Sequence, residues 1–115
     1  MRLNEIRYTG SRPIDGYGPG FFRIGGTVHE GAVLVLPDGV HPWGGYGDTG
    51  ALAGAEIDVL FVGTGAEVAH VPAAFRDTLE AAGLGVEAMA TPAACRTYNV
   101  LLSEGRRVAL ALLPV

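Results

Sequence analysis

Three apolar runs of strand length constrain the fold of this chain more than any other feature of its sequence. They are AVLVLP at 32–37, IDVLFVG at 57–63 and RRVALALL at 106–113. A strand with one face in water alternates apolar and polar residues, whereas a strand covered on both faces is almost continuously apolar. We therefore expect the three runs to share one sheet with covered faces.

The segment between the second and third runs begins with a helical pattern. Phe75 and Leu79 lie on one side of a predicted helix over 72–82, and charged residues take the other side. Gly83 follows and is typical of a helix end. A short strand is predicted next, over 86–90.

A second helix is predicted to begin at Thr91-Pro92 and to end near Gly105. A threonine hydroxyl can cap free amides at a helix start, and proline is tolerated in the first turn. The resulting order of strand, helix, strand, helix and strand predicts an α/β layer arrangement. The pattern leaves open whether a helix covers each face of the sheet or both helices cover one face.

Glycine accounts for 18 of the 115 residues and marks the irregular regions. Between Gly10 and Gly31 it separates short strands around 21–24 and 27–29, which predicts a hairpin region. The stretch 41–55 has little periodicity, and we expect a loop with a short helix at its end. A loop of this length is uncommon in a small domain unless it has a role.

Length and composition predict one domain over residues 1–115. Apolar residues make up 49% of the chain and charged residues 17%, which favours a packed core over disorder. The net charge is −4 and the basic residues are all arginine, so lysine chemistry is excluded. An acidic chain also lacks the clustered cations that nucleic acids require, and we expect no nucleic-acid partner.

The cysteine count and the lengths of the apolar runs bear on the compartment. Cys95 is the only cysteine, so the chain cannot form an internal disulfide. Residues 1–8 do not resemble a signal peptide, and the apolar runs are too short to span a bilayer. We expect a cytoplasmic protein without membrane insertion.

Two segments, VGTG at 62–65 and TPAACRTYNVLLSEGR at 91–106, resemble the Mth-type domain family. That family includes a mitochondrial respiratory complex I assembly factor and adipogenesis-associated Mth-like domain proteins. The likeness covers nearly the whole chain, since further matching features follow in the family's order: Tyr8, the strand at 22–24, the strand at 33–37, Trp43 and the closing strand. Residues 44–55 depart from the family by being richer in glycine, and we expect no mitochondrial transit segment before the domain.

This resemblance implies a single three-layer α/β domain, with a mixed central sheet and a small additional β-hairpin region. It implies no established catalytic activity and no cofactor. We predict accordingly that the chain carries no catalytic residues of its own.

The loop Gly63-Thr64-Gly65 follows a buried strand, where exposed amides can receive an anion. It lacks the third glycine of a dinucleotide fingerprint, since Val68 occupies that place. The loop is therefore either a tight turn or a site for an anion or a polar ligand. We expect its amides to converge with those at the start of the Thr91 helix.

Cys95, Arg96 and Asn99 are the other candidate binding residues. Cys95 lies early in a helix, where the dipole favours a thiolate, although a lone cysteine is more often a small buried apolar residue. Arg96 and Asn99 share a helix face and together can grip a carboxylate or a backbone segment of a partner. Alternatively, that face is solvated or bonded to the neighbouring loop.

Other constellations are weaker. His29, His41 and His70 are scattered, so we predict no metal site and no cofactor. Glu56 and Asp58 are better explained as the exposed entry of a strand than as an acid–base pair. Trp43 and Tyr46 form either a contact patch or part of the core.

Two functions follow from these observations. The first is a non-enzymatic interaction or assembly factor with a protein partner. The second is a small enzyme or an anion- or ligand-binding protein that uses the Gly63–Gly65 loop with Cys95 and Arg96.

Overall fold

The computed structural model describes residues 11–115, so Tyr8 and the first residues of the chain lie outside the described part. The strands are β1 (Ile14–Gly18), β2 (Phe21–Ile24), β3 (Thr27–Glu30), β4 (Val33–Leu36), β5 (Gly39–Pro42), β6 (Val59–Gly63), β7 (Gly85–Met89) and β8 (Val108–Leu112). The helices are α1 (Gly50–Ala53), α2 (Ala73–Ala81) and α3 (Thr91–Ser103). Within residues 11–115, no helix is long and apolar enough to cross a membrane.

The central sheet contains all three apolar runs, which confirms the main expectation from the sequence. Its strand order is β5-β4-β8-β6-β7. Strand β8 occupies the middle, where it pairs antiparallel with β4 and parallel with β6. Strand β7 extends the parallel part and β5 extends the antiparallel part, so the sheet is mixed. All five residues of β8 are buried.

The helices cover opposite faces of this sheet, which settles the alternative that the sequence left open. One core cluster contains Leu60 and Val62 of β6 with Phe75 and Leu79 of α2. The neighbouring strand residue Phe61 belongs to a second cluster, with Ala94, Cys95 and Tyr98 of α3. Successive residues of a strand point to opposite faces, so the two clusters are the two sides of one sheet. The fold is a three-layer α/β arrangement.

A small antiparallel sheet, β1-β2-β3, packs on the α3 side of the domain. Ile14, Phe22 and Ile24 lie in the same core cluster as Cys95 and Tyr98 of α3. This sheet is the predicted hairpin region, and its apolar side chains extend the core on the α3 side of the central sheet.

The stretch predicted to be a loop from residue 41 begins instead as a strand. β5 includes His41 and Pro42 and pairs with β4 through a two-residue turn at Pro37 and Asp38. Proline and aspartate are typical turn residues, so this hairpin could have been predicted. The short helix at the end of the stretch is present as α1.

Trp43 belongs to the core and not to an exposed patch. It is 5% exposed, and its indole N–H donates a hydrogen bond of 3.1 Å to the Asp48 carbonyl. Its ring meets Tyr46 edge-on with centroids 5.4 Å apart, and Phe75 packs against both. These contacts give the glycine-rich stretch a defined conformation.

Candidate functional site

The carboxyl ends of the parallel strands bring the Gly63-Thr64-Gly65 loop and the start of α3 together. Gly63, the last residue of β6, is in register with Met89 of β7 and Leu112 of β8. Helix α3 begins two residues after Met89, so Thr91 lies against the loop. We call the surface formed by residues 63–65, 89–91 and 112–114 the strand-end mouth.

The amides of the loop are bonded within the protein. The Thr64 N–H donates to the Met89 carbonyl at 2.9 Å, and the Gly65 N–H donates to the Thr91 hydroxyl at 2.9 Å. The expectation that these loop amides converge as free donors is therefore wrong. Each amide has a partner because the chain returns past the loop at the starts of α3 and of the C-terminal segment.

Thr91 is the centre of these contacts. Its hydroxyl accepts from Gly65 and donates to the Leu113 carbonyl at 2.7 Å, and its own N–H donates to the Gly65 carbonyl at 2.8 Å. The expectation that this hydroxyl caps the helix is wrong, since the cap residue is Ala90 and no side chain caps α3. Thr91 is fully buried and instead joins three separate segments of the chain.

Gly63 allows the close approach on which this arrangement depends. A Cβ atom placed on it would lie 2.7 Å from the Thr91 hydroxyl oxygen and 2.7 Å from a Leu112 methyl carbon. It would also lie 3.0 Å from the Cα of Thr91, a backbone atom that cannot move without shifting the helix. Glycine at this position is therefore explained by packing.

Thr64 organises the exposed turn that follows the loop. Its hydroxyl donates to the Glu67 carbonyl at 2.7 Å and accepts from the Ala69 amide at 3.0 Å. Residues 66–70 are exposed. The polar atoms of Thr64 thus support a turn.

Cys95 is a buried thiol. It is 3% exposed and packs among apolar residues of the α3 side of the core. Burial raises the pKa of the Cys95 thiol to about 11, and the charge of Arg96 offsets only part of that rise. The thiol is protonated near neutral pH, and the nucleophilic interpretation loses its physical basis.

Arg96 and Asn99 have different roles despite sharing a helix face. The Asn99 side chain accepts from the Ile14 N–H at 2.8 Å and donates to the Ile14 carbonyl at 2.9 Å. It replaces a strand partner for β1 and fastens the small sheet to α3. Arg96 is exposed, makes no hydrogen bond or ion pair within residues 11–115, and lines a shallow depression with Thr97, Val100 and Leu101.

A cavity that the sequence reasoning missed lies on the other side of the central sheet. Its volume is about 360 Å³. It is bounded by the β4–β5 hairpin, by α1 and by the connection to β6, and its walls include Leu36, Asp38, His41, Ala51, Ala55 and Glu56. The length of the 41–55 stretch was the available signal, since both of its ends contribute to the cavity.

The cavity carries polar groups at its edge. The His41 Nε2 lies 2.7 Å from an Asp38 carboxylate oxygen, and both side chains are exposed. Glu56 is exposed and makes no ion pair within residues 11–115. In the same part of the chain, no three His, Cys, Asp or Glu side chains lie close enough together to hold a metal ion.

Comparison with known proteins gives a family and named relatives. Residues 14–113 match the family model described as a protein of unknown function (DUF498/DUF598). An uncharacterized protein of Rhodobacter capsulatus is 50% identical over 100% of this chain and 94% of its own length. NADH dehydrogenase [ubiquinone] 1 alpha subcomplex assembly factor 3 of Danio rerio is 36% identical over 85% of this chain. The chain spans only 62% of that relative's length.

Solved structures with the same fold are also similar in sequence. An outer membrane protein from Bartonella henselae superposes with a TM-score of 0.82 at 35% identity, covering 93% of this chain and 98% of that one. A Mth938-like domain from Bordetella pertussis has a TM-score of 0.76 at 32% identity, covering 99% and 92%. The likeness covers nearly the whole of each chain.

Proposed function

Because the chain belongs to the DUF498/DUF598 family of proteins of unknown function, the Mth-type domain family, we propose that it is a non-enzymatic interaction factor in the assembly of a multisubunit complex. The observation that carries this proposal is the 36% identity to an NADH dehydrogenase assembly factor over 85% of the chain. The complex we propose is the host's NADH dehydrogenase. The cytoplasm is the compartment we propose, since a reduced thiol suits it.

The geometry of the candidate residues supports this proposal over a small enzyme. Thr64, Gly65 and Asn99 form hydrogen bonds that hold separate segments of the chain together. Cys95 is buried and protonated. Their positions are explained by folding, and Arg96 is the one of these candidates whose side chain is exposed and makes no hydrogen bond or ion pair within residues 11–115.

We propose that the outer face of α3 around Arg96 contacts the partner. Val100 on this face is 55% exposed, and the partly buried Leu101 lies beside it. Arginine is enriched in protein interfaces, where it often lies beside apolar residues. Its guanidinium group can donate two parallel hydrogen bonds to one carboxylate, and it can also donate to carbonyl oxygens. The partner surface expected here therefore carries an acidic or carbonyl-rich segment.

A deletion strain tests the proposed assembly role. Membranes of the deletion strain are separated on a native gel and stained for NADH dehydrogenase activity, with succinate dehydrogenase as an internal control. We expect less of the complete NADH dehydrogenase and an accumulation of its subassemblies. Both the wild-type gene and Cys95→Ala should restore the complex, since the thiol has no chemical role. A normal amount of complete enzyme in the deletion strain contradicts the proposal.

A further inference from the structure

The cavity between the β4–β5 hairpin and α1 combines an apolar wall with an acidic edge. We propose that it receives a lysine or arginine side chain of the protein partner, an inference that rests on the proposed interaction function. The site is on the face of the central sheet opposite α3, so it is separate from the surface around Arg96.

The wall suits the aliphatic part of a long basic side chain. Leu36 at the end of β4 is 4% exposed, and Ala51 of α1 and Ala55 after it also line the cavity. Lysine and arginine bury their methylene stems against apolar surface while the charged end stays near water. A cavity of about 360 Å³ is at the small end of ligand sites and holds one such side chain with part of its backbone.

The edge suits the charged end of the same side chain. Asp38 of the β4–β5 hairpin and Glu56 of the connection to β6 both line the cavity. His41 lies against one oxygen of Asp38, and Glu56 has no ion-pair partner within residues 11–115. Among residues 11–115 no arginine lines the cavity, and the chain contains no lysine, so within this part of the chain no basic side chain other than His41 meets the two carboxylates.

The two ends of the 41–55 stretch explain how the fold builds this cavity. His41 belongs to β5 at the start of the stretch, whereas Ala51 belongs to α1 near its end. Two hydrogen bonds hold the loop between these ends. The Trp43 indole N–H donates to the Asp48 carbonyl, and the Gly44 N–H donates to the Asp48 carboxylate. The loop is thus fixed by its own contacts, and its ends frame a recess that no side chain of the described residues fills.

The test is a titration of the ¹⁵N-labelled full chain with three capped amino acids, followed by NMR. N-acetyl-lysine and N-acetyl-arginine N-methylamides should shift the backbone amides of residues 36–41 and 51–56 in a saturable way. N-acetyl-norleucine N-methylamide has the same stem without the charge and should bind more weakly. Equal shifts with norleucine, or no saturable shifts at these residues with either basic probe, overturn the proposal.

Two kinds of variant locate the binding. The double variant Asp38→Asn/Glu56→Gln should weaken the basic probes about fivefold, as expected for two exposed ion pairs, and Asp77→Asn on α2 should leave them unchanged. Ala51→Leu places a larger side chain in the cavity and should abolish binding, whereas Ala53→Leu, also exposed on α1, should not. Retained binding in Ala51→Leu refutes the site.

These outcomes are independent of the assembly test, because no partner protein is present in the titration. Suppose that the basic probes bind to the chain and that the deletion strain has a normal amount of NADH dehydrogenase. These two results support the proposed binding site and reject the assembly role. The opposite result is an assembly defect that the Ala51→Leu gene fully corrects, together with no probe binding to the wild-type chain. That result rejects the proposed binding site and supports the assembly role.

Discussion

Replacing Thr91 with valine is the sharpest test of how the strand-end mouth is held together. Valine has nearly the same shape and is also β-branched, so the packing and the helix propensity change little. The change removes the hydroxyl that accepts from the Gly65 N–H at 2.9 Å and donates to the Leu113 carbonyl at 2.7 Å. Both backbone groups then lose their partner.

The magnitude follows from the burial of those two groups. Gly65 is buried, so its N–H should bear the full cost of an unmade hydrogen bond, while the half-buried Leu113 carbonyl can recover part of the loss by binding water. At about 1–3 kcal/mol for each buried group, we expect Thr91→Val to lower the free energy of unfolding by about 2–4 kcal/mol. A domain with about 5–15 kcal/mol of stability remains folded after this loss.

Urea denaturation followed by circular dichroism measures this change, with two matched controls. Thr91→Ser keeps the hydroxyl and removes one methyl group, so it should cost only about 1 kcal/mol. Thr78→Val removes a hydroxyl that bonds to the Ala74 carbonyl on an exposed helix surface, and it should change stability by less than about 0.5 kcal/mol. If Thr91→Val costs no more than Thr78→Val, or if Thr91→Ser costs as much as Thr91→Val, the hydroxyl does not hold the mouth together.

Four further changes test other parts of the account. Gly63→Ala should lower the free energy of unfolding by about 1–3 kcal/mol through overpacking against α3, whereas Gly47→Ala, where a Cβ meets nothing within 4 Å, should cost less than that in the same urea assay. The raised pKa of Cys95 means that the unfolded chain releases its thiol proton first, so stability should fall as pH rises from about 9 to about 11, and Cys95→Ala should reduce that fall in parallel melts. Asn99→Ala should lower the free energy of unfolding by about 2 kcal/mol and make the Ile14 amide of β1 exchange its hydrogen rapidly. Unchanged exchange at Ile14 contradicts the bracing role of Asn99. Arg96→Ala should weaken partner binding by about 1–3 kcal/mol in calorimetry and leave the melting temperature unchanged, whereas lost stability with unchanged binding makes the residue a structural brace.

The central sheet could be predicted because burial on both faces leaves a direct mark on the sequence. The run at 106–113 contains only apolar residues after its two arginines, and β8 is the middle strand of the sheet. The second helix was equally readable, since Pro92 marks its first turn and Gly105 follows its end. These signals are local, so a single sequence is enough to interpret them.

The candidate site was harder to predict because its residues are occupied by distant partners. Asn99 bonds to Ile14, which is 85 positions away, and nothing local separates that role from an exposed binding face. From the sequence, the Thr91 hydroxyl could accept a hydrogen bond either from an amide of its own helix or from a neighbouring loop. It accepts from the Gly65 N–H because the folded chain brings that loop beside Thr91. The cavity near Ala51 depends in the same way on two segments that meet in space.

The measurement that tests the central claim most directly is affinity capture of the tagged chain from its own host, with quantitative mass spectrometry and an untagged control. We expect a protein partner to be recovered in stoichiometric amount with wild type and with Cys95→Ala, and in reduced amount with Arg96→Ala. Recovery of no stoichiometric protein, together with a tightly retained small molecule that Cys95→Ala or Arg96→Ala releases, would contradict the claim and favour a small enzyme or a ligand-binding protein.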